Sequence, residues 1–245
     1  MFIVFRAKRI LPMLCLTIFV ISGIILSCNR TLVPVFSVNE SPNQICYIID
    51  AGHGGEDGGA VAKDGTIESD LNLSIAQKIN GTLCFLGLDS DMTRKSEDAV
   101  YSEDAVTLRE KKRSDLKNRV DMINACENAV LISIHQNSLP SAPNVHGVYV
   151  FYNHNNDAAQ LAKQLQASLN ESLNGATPKN AKQIDSSIYL MQQVDCPAVL
   201  IECGFLSNQA ETQQLKESAY QTKLAVAIIS GLLNDMNGVT INESK

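Results

Sequence analysis

Four polar side chains of this 245-residue chain stand at the ends of apolar runs, where such groups are uncommon unless they have work to do. His53 sits in Asp50-Ala51-Gly52-His53-Gly54-Gly55, directly after the run Ile45-Cys46-Tyr47-Ile48-Ile49. His135 follows Ala129 to Ile134, and Glu202 follows Ala198 to Ile201. Glu68 opens a segment in which Leu71, Ile75, Ile79 and Leu83 recur at helical spacing. In open α/β sheets, ligands bind in the crevice at the carboxyl ends of the strands, so residues at several strand ends can converge on one site. Two imidazoles and a carboxylate form the ligand set of a catalytic zinc that keeps its fourth position for water. His53, Glu68 and His135 are therefore candidate metal ligands, and Glu202 is the candidate general base.

Each residue also has a plainer reading. A histidine at a strand end is commonly a hydrogen-bonded structural group, and Glu68 at a helix start opposes the helix dipole favourably. His146 and His154 read as loop or strand-edge residues. Cys203, next to Glu202, would need His135 as its base to act as a nucleophile. Alternation along a continuing strand turns it to the opposite face. The glycines around His53 are not followed by Gly-Lys-Ser or Gly-Lys-Thr, which argues against a phosphate loop.

The elements that must position these residues alternate. Strands are predicted over 45–49, 88–93, 129–134, 146–152 and 198–201. Helices are predicted from about Glu68 to Leu83, across Leu108, Leu116, Val120 and Ile123, from Asp157 to Leu173, and from Tyr220 to Met236. Ser96 to Val106 is a polar loop. The Lys111-Lys112-Arg113 run reads either as a solvated helix face or as a contact for an anionic substrate. The pattern predicts a single α/β domain, a mostly parallel sheet with helices on both faces.

Composition is that of an ordinary folded protein, 45% hydrophobic and 19% charged. Arg6, Lys8 and Arg9 precede an apolar run from Ile10 to Leu26, so residues 1–28 read as an export signal or N-terminal membrane anchor, with the rest of the chain outside the cytoplasmic membrane. Ile25-Leu26-Ser27-Cys28 weakly resembles a lipoprotein cleavage box. Residues 29–44, with Pro34 and Pro42, form a tether, 45–237 the catalytic domain and 238–245 a tail. Setting aside the three N-terminal cations takes the formal charge from -6 to -9, which makes nucleic acid an unsuitable partner. With 5% aromatics and no Trp, the chain has no separate sugar-stacking module. The five cysteines beyond the export segment lack C-x-x-C spacing and read mostly as small buried hydrophobes.

Four motifs carry a family resemblance: Ile49 to Gly55, Gly65-Thr66-Ile67-Glu68, Ser133-Ile134-His135-Gln136-Asn137-Ser138, and Leu200 to Asn208. They resemble the zinc-dependent N-acetylmuramoyl-L-alanine amidases, in order and over nearly the whole exported domain. The resemblance implies a six-stranded α/β fold, zinc held by His53, Glu68 and His135, and Glu202 as the catalytic glutamate. The implied substrate is peptidoglycan, cut between N-acetylmuramic acid and L-alanine. Ser114 to Val120 and Gln136 are most similar to the germination-specific group within the family, which implies a role in spore-cortex maturation through muramic-δ-lactam formation. Division amidases of the family often carry an inhibitory helical insertion before the last catalytic strand. The short stretch from Tyr152 to Ala198 is accounted for by one helix and a short connection, so control by timing or by an activating partner protein is expected instead. Rival readings are a zinc peptidase cutting within the stem peptide and a non-catalytic wall-binding protein.

Overall fold

The computed structural model describes residues 45–239. The export segment, the tether up to residue 44 and the end of the tail lie outside the described residues. In chain order the elements are β1 (Cys46–Ala51), α1 (Glu68–Phe85), β2 (Ser90–Met92), α2 (Leu108–Asn124), β3 (Ala129–Asn137), β4 (Tyr149–Tyr152), α3 (Ala158–Leu169), β5 (Lys182–Gln183), α4 (Tyr189–Gln193), β6 (Ala198–Phe205), α5 (Gln209–Lys216) and α6 (Ser218–Val239). They form one six-stranded sheet in the order β2-β1-β3-β6-β4-β5. The first four of these strands run parallel, β4 is antiparallel to β6, and β5 is parallel to β4.

The continuous apolar runs of β1, β3 and β6 follow from burial on both faces, as expected for central parallel strands. On one face Ile49, Ile132, Ile134, Val199 and Ile201 pack with Ile75 and Ile79 of α1, Leu165 of α3 and Ile228 of α6. On the other, Ile48, Leu131 and Leu200 pack with Val120 and Ile123 of α2 and with Leu190 and Met191 of α4. Strand side chains alternate between faces, so Asp50, Ser133, His135 and Glu202 share the second face with Ile48, Leu131 and Leu200. The register lines them up: Asp50 opposes Ser133, and His135 opposes Glu202.

Some boundaries differ from the sequence reading. β3 and β6 run on to Asn137 and Phe205, so His135 and Glu202 lie within paired strands rather than just after them. β4 begins at Tyr149, not His146, and α3 ends at Leu169, where a π turn over Asn170–Asn174 takes over. Leu108 is exposed and lies off the buried face of α2. The elements β5, α4 and α5 were not anticipated, because two to eight residues are too few to show a period. Between Tyr152 and Ala198 the structure has only α3, the π turn, β5 and α4.

Candidate metal centre

Glu68 is the first residue of α1, a helix that starts without a side-chain cap. The amides of Glu68 and Ser69 donate instead to the carbonyls of Ala60 and Gly58, at 3.0 and 3.1 Å. The preceding loop thus satisfies helix-end donors that a capping side chain would otherwise serve. The Glu68 carboxylate faces the histidines: Oε1 is 3.3 Å from His53 Nε2 and 3.1 Å from His135 Nδ1. Oε1 also accepts from the amide of Gln136 at 3.1 Å, and Oε2 from the amide of Ala60 at 2.8 Å. Burial opposes this charge, but the two imidazoles outweigh it and hold the carboxyl well below the usual range.

The His53 and His135 rings meet edge to face with centroids 5.0 Å apart. One ligand-capable atom from each of His53, Glu68 and His135 falls within 4.8 Å of the others. Two glycines make this approach feasible. A Cβ on Gly52 would lie 2.2 Å from His135 Nε2, and one on Gly59, where φ is +70°, would lie 2.5 Å from Glu68 Oε2. The donor set of two nitrogens and a carboxylate oxygen fits a divalent zinc.

His53 itself has φ 61°, a left-handed conformation that a non-glycine residue adopts only when its surroundings impose it. Two buried guanidiniums do so. Arg119 donates to the carbonyls of His53 at 2.7 Å and Ala51 at 2.8 Å. Arg94 donates to Ala51 at 2.8 Å, Gly52 at 3.1 Å and Ser69 at 2.8 Å, tying the loop to the start of α1. Arg119 is neutralised by Asp115 at 2.9 Å and Asp50 at 2.7 Å.

Asp50, at the end of β1 just before this loop, does not contact either ligand-candidate histidine. Its carboxylate is fully used by Arg119, by Thr93 at 2.7 Å and by Ser133 at 2.6 Å. Burial raises its pKa, yet Arg119 and these hydroxyls prevail and lower it to about 2. The partner of the His53 ring is Asp57, whose Oδ2 is 3.0 Å from Nδ1 and is held in turn by Lys112 at 2.9 Å.

Glu202 stands beside His135 on the neighbouring strand, and its Oε2 is buried with no hydrogen-bond partner among the described residues. Burial pushes the carboxyl up to about 7; the Glu68 charge adds to this, while His135 and His53 oppose it. A buried unpaired oxygen of this kind is rare and calls for a polar occupant. It lines a cavity of about 350 Å³ together with His53, His135, Asp57, Lys112 and Tyr189.

The structure thus brings His53, Glu68, His135 and Glu202 together. It turns Cys203 into the core on the other face, fully buried, with its thiol pushed up chiefly by burial. His146 and His154 are exposed and outside the cluster. All five cysteines of the described residues are free thiols. Arg94, Asp57 and the role of Arg119 escaped the sequence reading. Arg119 had a signal, since it interrupts the apolar stripe of Leu116, Val120 and Ile123 at helical spacing, and a cation there implies a buried partner.

Comparison with known proteins decides the family. A family model described as N-acetylmuramoyl-L-alanine amidase matches residues 48–234, a span holding every residue of the cluster. This chain belongs to that family. The amidase is 38% identical over 190 residues to the germination-specific N-acetylmuramoyl-L-alanine amidase of Bacillus subtilis (strain 168), covering 78% of each chain. Among solved structures it is similar to the CwlD amidase from Clostridioides difficile in complex with the GerS lipoprotein, at 35% identity and TM-score 0.75, covering 79% of this amidase and 99% of that chain. It also resembles the catalytic domain of CwlV, an N-acetylmuramoyl-L-alanine amidase from Bacillus (Paenibacillus) polymyxa var. colistinus. That likeness has 26% identity and TM-score 0.66, over 79% of this amidase and 99% of the other chain.

Proposed function

We propose that the amidase hydrolyses the bond between the lactyl carbonyl of N-acetylmuramic acid and the amine of L-alanine, with zinc held by His53, Glu68 and His135 and with Glu202 as general base. The observation that carries this reading is the buried, unpaired Oε2 of Glu202 beside a donor cluster of two imidazoles and a carboxylate. Zinc bound there supplies Lewis acidity, activating a water and polarising an amide carbonyl. Glu202 takes the proton of the attacking water. The same carboxyl can return that proton to the departing amine, which otherwise leaves as a poor anion. Asp57 keeps Nδ1 of His53 engaged, so that Nε2 is turned toward the cluster. Arg94 and Arg119 fix the loop that carries this histidine.

The relatives and the N-terminus support a biological setting. Similarity to a germination-specific amidase supports work on spore-cortex peptidoglycan, leading to muramic-δ-lactam. Residues 1–28 act as an export signal or membrane anchor and 29–44 as a tether, leaving the catalytic domain of 45–237 outside the cytoplasmic membrane. The Clostridioides difficile relative was solved in complex with a lipoprotein. By analogy an activating partner protein controls this amidase.

The test is mass spectrometry of peptidoglycan digested by the full chain with zinc, with chelator, and as Glu202→Gln. Intact stem peptides with a free L-alanine amine, released only by wild type with zinc, are expected. Shortened peptides left on muramic acid would show a peptidase instead. Bound zinc with no hydrolysis of vegetative or cortex material, with or without the partner, would leave a wall-binding protein.

A further inference from the structure

Helix α2 carries nine charged side chains, and seven of them are engaged within the protein. Glu110 completes a capping box with Thr107, and Lys111 pairs with Glu56. Lys112 pairs with Asp57, Asp115 and Arg119 with each other, and Lys117 with Asp121. Arg109 and Arg113 have no hydrogen bond or ion pair among the described residues, and both are exposed. They sit one helical turn apart on the same side. Both line one cavity of about 340 Å³, whose other walls are Lys112, Leu116 and Tyr189. Those three residues also line the cavity that holds His53, His135 and Glu202, so the two spaces adjoin as a cleft with a shared wall beside the candidate metal centre.

We propose that this cleft is the stem-peptide subsite, and that Arg109 and Arg113 bind a free carboxylate on the second residue of the stem. The inference rests on the amidase reading above and names the side of the substrate that lies along α2. The glycan on the other side of the scissile amide consists of uncharged acetylated sugars, whereas the peptide side carries free carboxylates. A pair of unengaged guanidiniums therefore marks the peptide side, since the guanidinium fork matches a carboxylate. Two extended residues span about 7 Å, which takes the second residue out of the metal cavity and into its neighbour. Leu116 and Tyr189 offer an apolar wall for the L-alanine methyl and the aliphatic stem. The overall charge of -6 gives no general attraction for an acidic peptide, so the selectivity is local to this pair.

The experiment uses the full chain with zinc and two soluble muropeptides, identical except that the second stem residue is a free acid in one and a primary amide in the other. Wild type is expected to favour the acid roughly fivefold in kcat/KM, mostly through KM, and to lose part of that preference at high salt. The double variant Arg109→Gln, Arg113→Gln keeps good helix formers and should cleave the two stems with a ratio near one. Lys117→Ala, on the same helix but outside both cavities, should keep the wild-type ratio. A wild type indifferent to amidation, a double variant that keeps the preference, or a Lys117→Ala variant that loses it would each overturn the subsite. A wild type that releases no stem peptide from either substrate, with or without the partner protein, would overturn the amidase reading itself.

Discussion

At the scale of single residues, the cluster separates groups suited to hold a metal from one suited to react. Glu68 is fixed by two imidazoles and two backbone amides, which suits a ligand, while Glu202 keeps a buried oxygen unpaired, which suits a base. Glu202→Gln should keep zinc and lose at least about 100-fold in turnover, the ordinary scale for removing a general base. His53→Ala and His135→Ala should lose the metal as well, read by metal analysis after gel filtration. A Glu202→Gln enzyme with near-normal turnover would show that the base lies elsewhere. Asp57→Ala removes the partner of His53 Nδ1 and should weaken zinc affinity about 10- to 100-fold, measured by chelator competition. Affinity unchanged in that variant would mean that the loop alone orients the ring.

At the scale of elements, the site depends on how α2 and β2 grip the loop after β1. Arg119 leaves α2 to reach the carbonyls of Ala51 and His53, and Arg94 follows β2 to reach Gly52 and Ser69. Arg119→Met leaves Asp50 and Asp115 buried without their cation and should destabilise the fold by about 3 to 5 kcal/mol in chemical denaturation. A loss under 1 kcal/mol would mean that water replaces the guanidinium. Asp50 gives this network a pH signature. Its pKa is depressed on folding, from 3.8 to about 2, so its contribution is complete above about pH 4 and is lost as pH falls through 2. The stability gap between wild type and Asp50→Asn should therefore narrow between pH 4 and 2, as followed by urea midpoints. A gap constant over that window would place the stabilisation in packing instead of charge.

At the scale of the whole molecule, the candidate metal centre is organised by bonds that owe nothing to a metal. Glu68, His53 and the glycine loop are held by backbone amides and two arginines, and both faces of the sheet are covered by well-filled cores. Chelation should thus abolish hydrolysis while leaving the secondary structure intact, with only the modest fall in melting temperature that follows from losing a bound ligand. Circular dichroism melts with and without chelator check this. Unfolding on chelation would make zinc a folding partner, as in small zinc domains.

Much of this was legible in the chain itself. Apolar runs ending in polar residues located β1, β3 and β6 and the groups that matter on them, because a strand buried on both faces tolerates a polar side chain only where it leaves the core. Helical periodicity located α1, α2, α3 and α6, and four motifs carried the family. Tertiary structure alone decided the rest. That Asp57 and not Asp50 supports His53 depends on where Arg119 crosses from α2, a contact between residues 69 positions apart in sequence for Asp50. That Arg109 and Arg113 are the unengaged members of a charged helix depends on Glu56, Asp57 and Asp50, which the fold brings from the β1 end to neutralise Lys111, Lys112 and Arg119. Pairing of charges across a fold leaves no local period in the sequence, whereas burial does, and this is why the scaffold could be read from the chain and the wiring of the site could not.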